Sequence, residues 1–277
     1  INNHTDILIN QPIKTMCHLC MRRIVTRSAA PMRAQSVRAY SSTNAVMQDW
    51  ANRPGVWDEK DLGSMIGANK KWMTKMHAEN PDYFAMNKAG HFPKILWIGC
   101  VDARVPANEL INEPPGSVFV HRNIANQVVN TDSNCMSVLQ YAVDYLKVRH
   151  VVVCGHYDCG GCKAAMSNAD HKSPLENWLR NIRDTLRLHK DEIMAIKDTR
   201  ARQDRLVELN VWEQCINLYK TVQVQKARKE SVAAGKPFEE PQIHGYVFEP
   251  TTGELKKVNV DYTKAAEDLD IIYKLLE

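Results

Sequence analysis

His150-Val151-Val152-Val153-Cys154-Gly155-His156-Tyr157-Asp158-Cys159-Gly160-Gly161-Cys162 is the stretch that decides how this chain folds. Its first half is a continuous apolar run, His150 to Cys154, with no polar residue inside and a glycine at its end. Half-exposed strands alternate apolar and polar residues, whereas strands of parallel sheets, covered on both faces, do not. The run therefore reads as an inner strand of a parallel sheet. Its second half brings His, Asp and two Cys to the strand's carboxyl end. In open parallel sheets ligands bind just beyond those ends.

Working outward, Lys94-Ile95-Leu96-Trp97-Ile98-Gly99 and Ser117-Val118-Phe119-Val120 are two more short apolar runs, the second opened by Pro114-Pro115-Gly116. Met136, Leu139, Val143 and Leu146 recur at helical spacing, which predicts a helix over 133–147 capped from Thr131 to Ser133. Beyond Gly161 the chain reads as helical to about residue 230. Pro174 opens one segment there, and Leu206 to Ala227 forms another. Residues 243–248, a Thr251-Thr252-Gly253 turn and residues 255–260 read as a strand pair, and 264–276 as a last amphipathic helix. Residues 44–90 read as a helical arm with Trp50, Trp57 and Trp72 on an apolar face and a break at Arg53-Pro54-Gly55. The fold class is α/β. A mostly parallel central sheet is flanked by helices, with an N-terminal helical arm and a C-terminal strand pair.

A second strand end carries unusual residues. Cys100-Val101-Asp102-Ala103-Arg104 follows directly on the run at 94–99. Both ends of chemistry thus lie on one rim of the sheet, where Cys100, His156 and Cys159 can meet. Thiolate and imidazole are the usual donors to zinc, and His-x2-Cys spacing can place both donors on one turn. Three protein ligands leave a fourth position for water, the pattern of catalytic sites. Asp102 can accept a hydrogen bond there, and Arg104 can hold that carboxylate in a bidentate clamp.

Competing readings attach to the same residues. Cys159-x2-Cys162 is a nominal redox pair, and Cys162 could instead complete a closed four-ligand site with His156 and Cys100. Cys154, in mid-strand, reads as core. Cys17 and Cys20 have zinc-like spacing with no second pair and read as a chance event. His77, His121, His150, His171 and His189 lack evident partners and read as surface or core histidines. The charged stretch 180–230 mixes acids with bases, as a solvated helix face does.

The chain has 277 residues and a formal net charge of +4, from 36 Lys+Arg and 32 Asp+Glu. Residues 1–40 hold six basic side chains (Lys14, Arg22, Arg23, Arg27, Arg33, Arg38) and one acid, Asp6, while the remaining 237 hold 30 and 31. The body is near neutral, which argues against a nucleic-acid partner. No run approaches the ~18–20 apolar residues of a membrane helix. No acid occurs from Met16 to Gln48, among recurrent arginines, serines and alanines, the composition of a mitochondrial presequence. Arg38-Ala39-Tyr40-Ser41-Ser42 resembles a matrix-peptidase site. The expected organisation is a targeting leader over 1–40, residues 1–15 being of uncertain origin, and a single α/β domain over 41–277. The expected location is the mitochondrial matrix, after removal of the leader near Tyr40/Ser41.

Cys100-x-Asp102-x-Arg104, Arg122-Asn123-Ile124-Ala125-Asn126 and Gly155-His156-x2-Cys159-Gly160-Gly161 together resemble the signature of β-class carbonic anhydrases, in that family's order and spacing over most of 65–275. With the leader, the chain is similar to a fungal mitochondrial-type member. The resemblance implies a zinc lyase that reversibly hydrates carbon dioxide to bicarbonate and a proton by attack of zinc-bound hydroxide. It implies one zinc per subunit on Cys100, His156 and Cys159, with Asp102 and Arg104 as an Asp/Arg dyad just outside the ligands. Phe119 and Tyr141 match aromatic positions lining a narrow apolar cleft. His91 stands where many members carry Gln, whose amide donates to bicarbonate, and Tyr145 stands where some carry a proton-transferring His. Serines are usual at the positions of Val101 and Ala103. The family's unit is a homodimer, often doubled to a homotetramer, with the cleft at the subunit interface. Whether Asp102 takes the fourth zinc position at rest stays open. So do two rival activities: hydrolysis of carbon disulfide or carbonyl sulfide, and bicarbonate binding without turnover.

Overall fold

A computed structural model describes residues 62–273 and residue 275. The chain divides into two units, 1–71 and 72–277. The division falls inside a helix, α1 (Ser64–Glu79), in the arm expected over 44–90. Trp50, Trp57, Cys17, Cys20 and the leader lie outside the described residues. After α1 come α2 (Tyr83–Lys88), β1 (Ile95–Cys100), α3 (Ala107–Leu110), β2 (Val118–Asn123), α4 (Ser133–Gln140) and β3 (His150–His156). There follow α5 (Gly160–Met166), α6 (Leu175–Leu188), α7 (Lys190–Ala195), α8 (Thr199–Tyr219) and α9 (Val222–Ala233). Strands β4 (Gln242–Phe248) and β5 (Leu255–Val258) and helix α10 (Tyr262–Asp270) complete the order.

The strands form one sheet in the order β2-β1-β3-β4-β5. The pairs β2/β1, β1/β3 and β3/β4 are parallel, and β4/β5 is antiparallel. The α/β expectation and the C-terminal strand pair are both met. Gly253, at φ +79° in the turn between β4 and β5, takes a conformation open to glycine at little cost.

The sheet separates two clusters. Leu96, Ile98, Val151, Val153, Ile243 and Val247 join α6 and α8 in the larger core. Trp97, Val152, Cys154 and Phe248 meet Val105 and Ala107 of the α3 segment in a smaller one. Cys154 is fully buried there, as its place in mid-strand implied. Helix α8 lies tightly against β3: a Cβ on Gly155 would come within 2.7 Å of Val211 Cγ2 and 3.3 Å of Val207 Cγ1. Only a residue without a side chain lets helix and strand approach this closely.

Several boundaries differ from the sequence reading, each for a local reason. The helix expected over 206–227 is two helices, parted at Lys220-Thr221, where Thr221 Oγ1 donates to the Leu218 carbonyl at 2.7 Å and Thr221 caps α9 in extended backbone. Helix α8 starts earlier than expected because Asp198 accepts from the Ala201 amide at 2.7 Å. The helix over 133–147 runs regularly only to Gln140 and then widens into a looser π turn over 141–145. The buried face is consequently Cys135, Leu139, Ala142 and Val143, with Met136 and Leu146 at its margin. Strand β2 runs past its apolar run to Asn123, because Arg122 and Asn123 keep pairing with Gly99 and Cys100. The last helix begins at Tyr262, with Asp261 accepting from the Lys264 amide at 3.0 Å, and ends at Asp270. No helix of the described residues is long and apolar enough to cross a membrane.

Candidate metal centre

The carboxyl ends of the two central strands supply the first two donors. Cys100 is the last residue of β1 and His156 the last of β3. Cys159 caps the amino end of α5, so His156 and Cys159 sit across a strand-to-helix turn rather than on one helical turn. One ligand atom from each of Cys100, His156 and Cys159 lies within 4.8 Å of the other two, and all three residues are buried. Cys162, also buried, stands outside this cluster in the larger core. All six described cysteines are free, so the redox-pair reading finds no disulfide.

The imidazole is held in one orientation. Its Nδ1 donates to the Tyr157 carbonyl at 2.9 Å, and the Tyr157 hydroxyl donates to Glu208 of α8 at 2.8 Å. That leaves Nε2 with its lone pair, fully buried and without a hydrogen-bond partner among the described residues. An orphaned buried nitrogen is costly unless something binds it. The thiols carry the complementary imbalance. Cys100 is pushed up to about 12, by its hydrogen bond with Cys159 and by burial. For Cys159, the bond from Cys100 favours the thiolate, but Cys162 and burial outweigh it and drive the thiol upward. A dication answers both imbalances, stabilising two thiolates and taking the imidazole lone pair. This donor set fits zinc.

Asp102 stands beside the cluster, its Oδ2 3.7 Å from His156 Nε2. Arg104 clamps it: Nε donates to Oδ1 at 2.9 Å, Nη2 to Oδ2 at 2.7 Å, and the Arg104 amide to Oδ1 at 3.0 Å. These bonds overcome partial burial and hold the carboxyl down at about 2. Asp102 is thus an ionised acceptor with a fixed plane.

A second layer fixes the loop that carries Cys100 and Asp102. Arg122 donates through Nε to the Cys100 carbonyl at 2.8 Å and through Nη2 to the Asp102 carbonyl. The Ala125 amide donates to Cys100 Sγ at 3.4 Å from a left-handed backbone at φ 59°. Helix α8 braces that segment in turn. Asn210 donates to the Ala125 carbonyl at 3.0 Å and accepts from Gln127 at 2.7 Å, and Gln214 accepts from the Val128 amide at 2.8 Å.

A carbonic anhydrase family profile matches residues 95–255, more than half the chain and every residue of the cluster. The chain belongs to the β-class carbonic anhydrases. A carbonic anhydrase of Emericella nidulans is 44% identical over 231 residues, covering 83% of this chain and 98% of that protein. Among solved structures, a tetrameric β-carbonic anhydrase of Sordaria macrospora is 35% identical with a TM-score of 0.66, covering 73% of this chain and 98% of that one. A Coccomyxa β-carbonic anhydrase solved with acetazolamide is 34% identical with a TM-score of 0.66, covering 76% and 92%.

The family resemblance also singled out His91, Phe119, Tyr141 and Tyr145. The structure brings these into one row of rings, with centroids 6.1, 5.8 and 5.5 Å apart in that order. The row is at the other end of the sheet from the cluster. Phe119 pairs with Leu96, four residues before Cys100 on β1. At the rise of a strand that is about 13 Å. Tyr141 is 46% and Tyr145 71% exposed, so neither is core in this chain.

Some isolated-looking histidines have partners. His150 Nδ1 lies 3.1 Å from His244 Nε2, and His189 Nε2 2.8 Å from Glu213. His171 bonds Ser167 at 3.0 Å, and His121 contacts the Asn123 amide at 3.3 Å. The sequence reading gave no role to Arg122, Ala125 or Asp158, although it quoted all three within motifs. The one available signal was placement: Arg122 and Ala125 fall in the middle motif of the resemblance, and Asp158 falls between His156 and Cys159.

Proposed function

We propose that this chain is a zinc enzyme that reversibly hydrates carbon dioxide to bicarbonate and a proton. One observation carries the reading: the buried Cys100, His156 and Cys159 donors converge beside an Asp102 carboxylate that Arg104 keeps ionised. Zinc on those ligands would acidify a water and so supply a nucleophile near neutral pH. The chain's own residues do the rest. Cys100 and Cys159 offset the ion's charge, which leaves more of the orienting work to the surroundings. Asp102 accepts the nucleophile's O–H and aims its lone pair, because an ionised carboxylate can accept but not donate. Arg104 holds that plane, and Arg122 fixes the backbone on which Asp102 sits. Product release and proton transfer then reset the site.

The aromatic row supports a cleft completed by a second copy. Phe119 and Tyr141 present apolar surface suited to carbon dioxide, and they lie too far from their own Cys100 to cover it. His91, on the same row, would donate a ring N–H to bicarbonate. A homodimer or homotetramer is the assembly this favours. The acid-free, arginine-rich residues 16–48 support a mitochondrial-matrix address with the leader removed near Tyr40/Ser41.

The test is exchange of 13C label between carbon dioxide and bicarbonate at equilibrium, followed by NMR. The purified protein is expected to catalyse exchange, to lose it on exhaustive chelation, and to regain it with one equivalent of zinc. Exchange at the buffer rate in all three states would refute the proposal.

A further inference from the structure

Asp158 lies between two metal-ligand residues in sequence, and its carboxylate serves neither. Its backbone is left-handed at φ 61°, a conformation that Asp tolerates better than most residues. There it meets the free edge of Arg104. The guanidinium spends Nε and Nη2 on Asp102, and its remaining Nη1 donates to Asp158 Oδ2 at 3.2 Å. Asp158 is itself held from two elements. Lys163 of α5 donates to Oδ1, and Arg200 of α8 lies 3.8 Å from the same oxygen. Arg200 is fixed by a two-oxygen contact from Nε to Asp204, at 3.0 Å each. A chain of alternating charges thus runs from the clamp on Asp102 to the body of α8.

The arrangement answers a need that the clamp alone leaves open. The Arg104 side chain is 47% exposed, and a single ion pair at such a site holds a long side chain weakly. Gripped on opposite edges by two carboxylates, a planar guanidinium keeps both position and tilt. We infer that Asp158 is a positioning residue for the hydration reaction: anchored by Lys163 and Arg200, it fixes Arg104 from behind, and Arg104 in turn fixes Asp102. This rests on the carbon dioxide hydration proposed above.

The experiment is a double-mutant cycle on zinc-loaded protein, with carbon dioxide hydration read by stopped flow. Asp158→Gly removes the carboxylate while allowing the left-handed backbone. It is expected to lower kcat about tenfold, with KM within about twofold and one zinc retained per chain. In an Arg104→Ala background the same change should alter kcat by less than about twofold, because the group it positions is gone. Asp158→Asn, which keeps an acceptor oxygen and tolerates the same φ, should retain most activity. A wild-type kcat in Asp158→Gly, or an equal loss in both backgrounds, would overturn the inference. So would loss of zinc, which would assign Asp158 to holding Cys159 instead. If the wild-type protein itself fails to hydrate carbon dioxide, the functional reading is at fault. The positioning claim is then decided by a crystal structure of Asp158→Gly, in which Arg104 should have left Asp102 and would contradict it by staying.

Discussion

The Asp102 carboxylate stands 3.7 Å from His156 Nε2, and three donors from Arg104 converge on its two oxygens. Its value lies in what it cannot do, which is donate. Asp102→Asn keeps the shape but puts an NH2 group where an acceptor is required, and its other face meets a guanidinium that also only donates. We expect kcat for hydration to fall about 100-fold while zinc stays bound, with stopped-flow rates read beside metal analysis. A wild-type rate would remove the carboxylate from the mechanism. The convergence of Cys100, His156 and Cys159 and the pairing of Asp102 with Arg104 were legible in the sequence, since Cys-x-Asp-x-Arg and His-x2-Cys stand at two strand ends on one rim of the sheet. Arg122 and Asp158 were not. Arg122 works by reaching two backbone carbonyls, and Asp158 by meeting a guanidinium 54 positions away. Spacing along a chain says nothing about which carbonyls or which guanidinium edge are left over.

At the scale of elements, the inner strands were the most legible part, because a residue run buried on both faces has few other ways to fold. Strand β3 is buried from Val151 to Cys154, as its continuous apolar run implied, and the burial goes on to His156. The polar end of β2 was hidden for the opposite reason: Arg122 and Asn123 look like loop but pair with Gly99 and Cys100. The break at Lys220-Thr221 was also hidden, since it is marked by local bonds, the Thr221 hydroxyl and amide both donating to the Leu218 carbonyl, rather than by a proline or glycine. The buried amides of Asn210 and Gln214 on α8 were unreadable as well. Their partners, Ala125, Gln127 and Val128, lie more than 80 positions upstream, yet these bonds tie the helix to the segment beneath Cys100.

For the whole molecule, the separation between the Cys100-His156-Cys159 cluster and the aromatic row matters most. If each row covers a second copy's centre, two defects on different chains can complement. Cys159→Ser should abolish the ligand set of its own chain but leave its row intact, and Phe119→Ala the reverse. Each variant alone is expected to be nearly inactive. After they are unfolded and refolded together, random pairing into dimers should restore about a quarter of the sites and so about a quarter of wild-type activity. Activity no higher than the average of the two separate proteins would place each site within a single chain. The mild positive charge of the full sequence has no part in this: it sits on residues 1–40, while the near-neutral remainder carries the centre. The most direct test of the account is stopped-flow hydration of carbon dioxide by wild-type protein carrying one zinc per chain at alkaline pH. A rate far above buffer that scales with protein concentration is predicted, and a rate equal to buffer would contradict it.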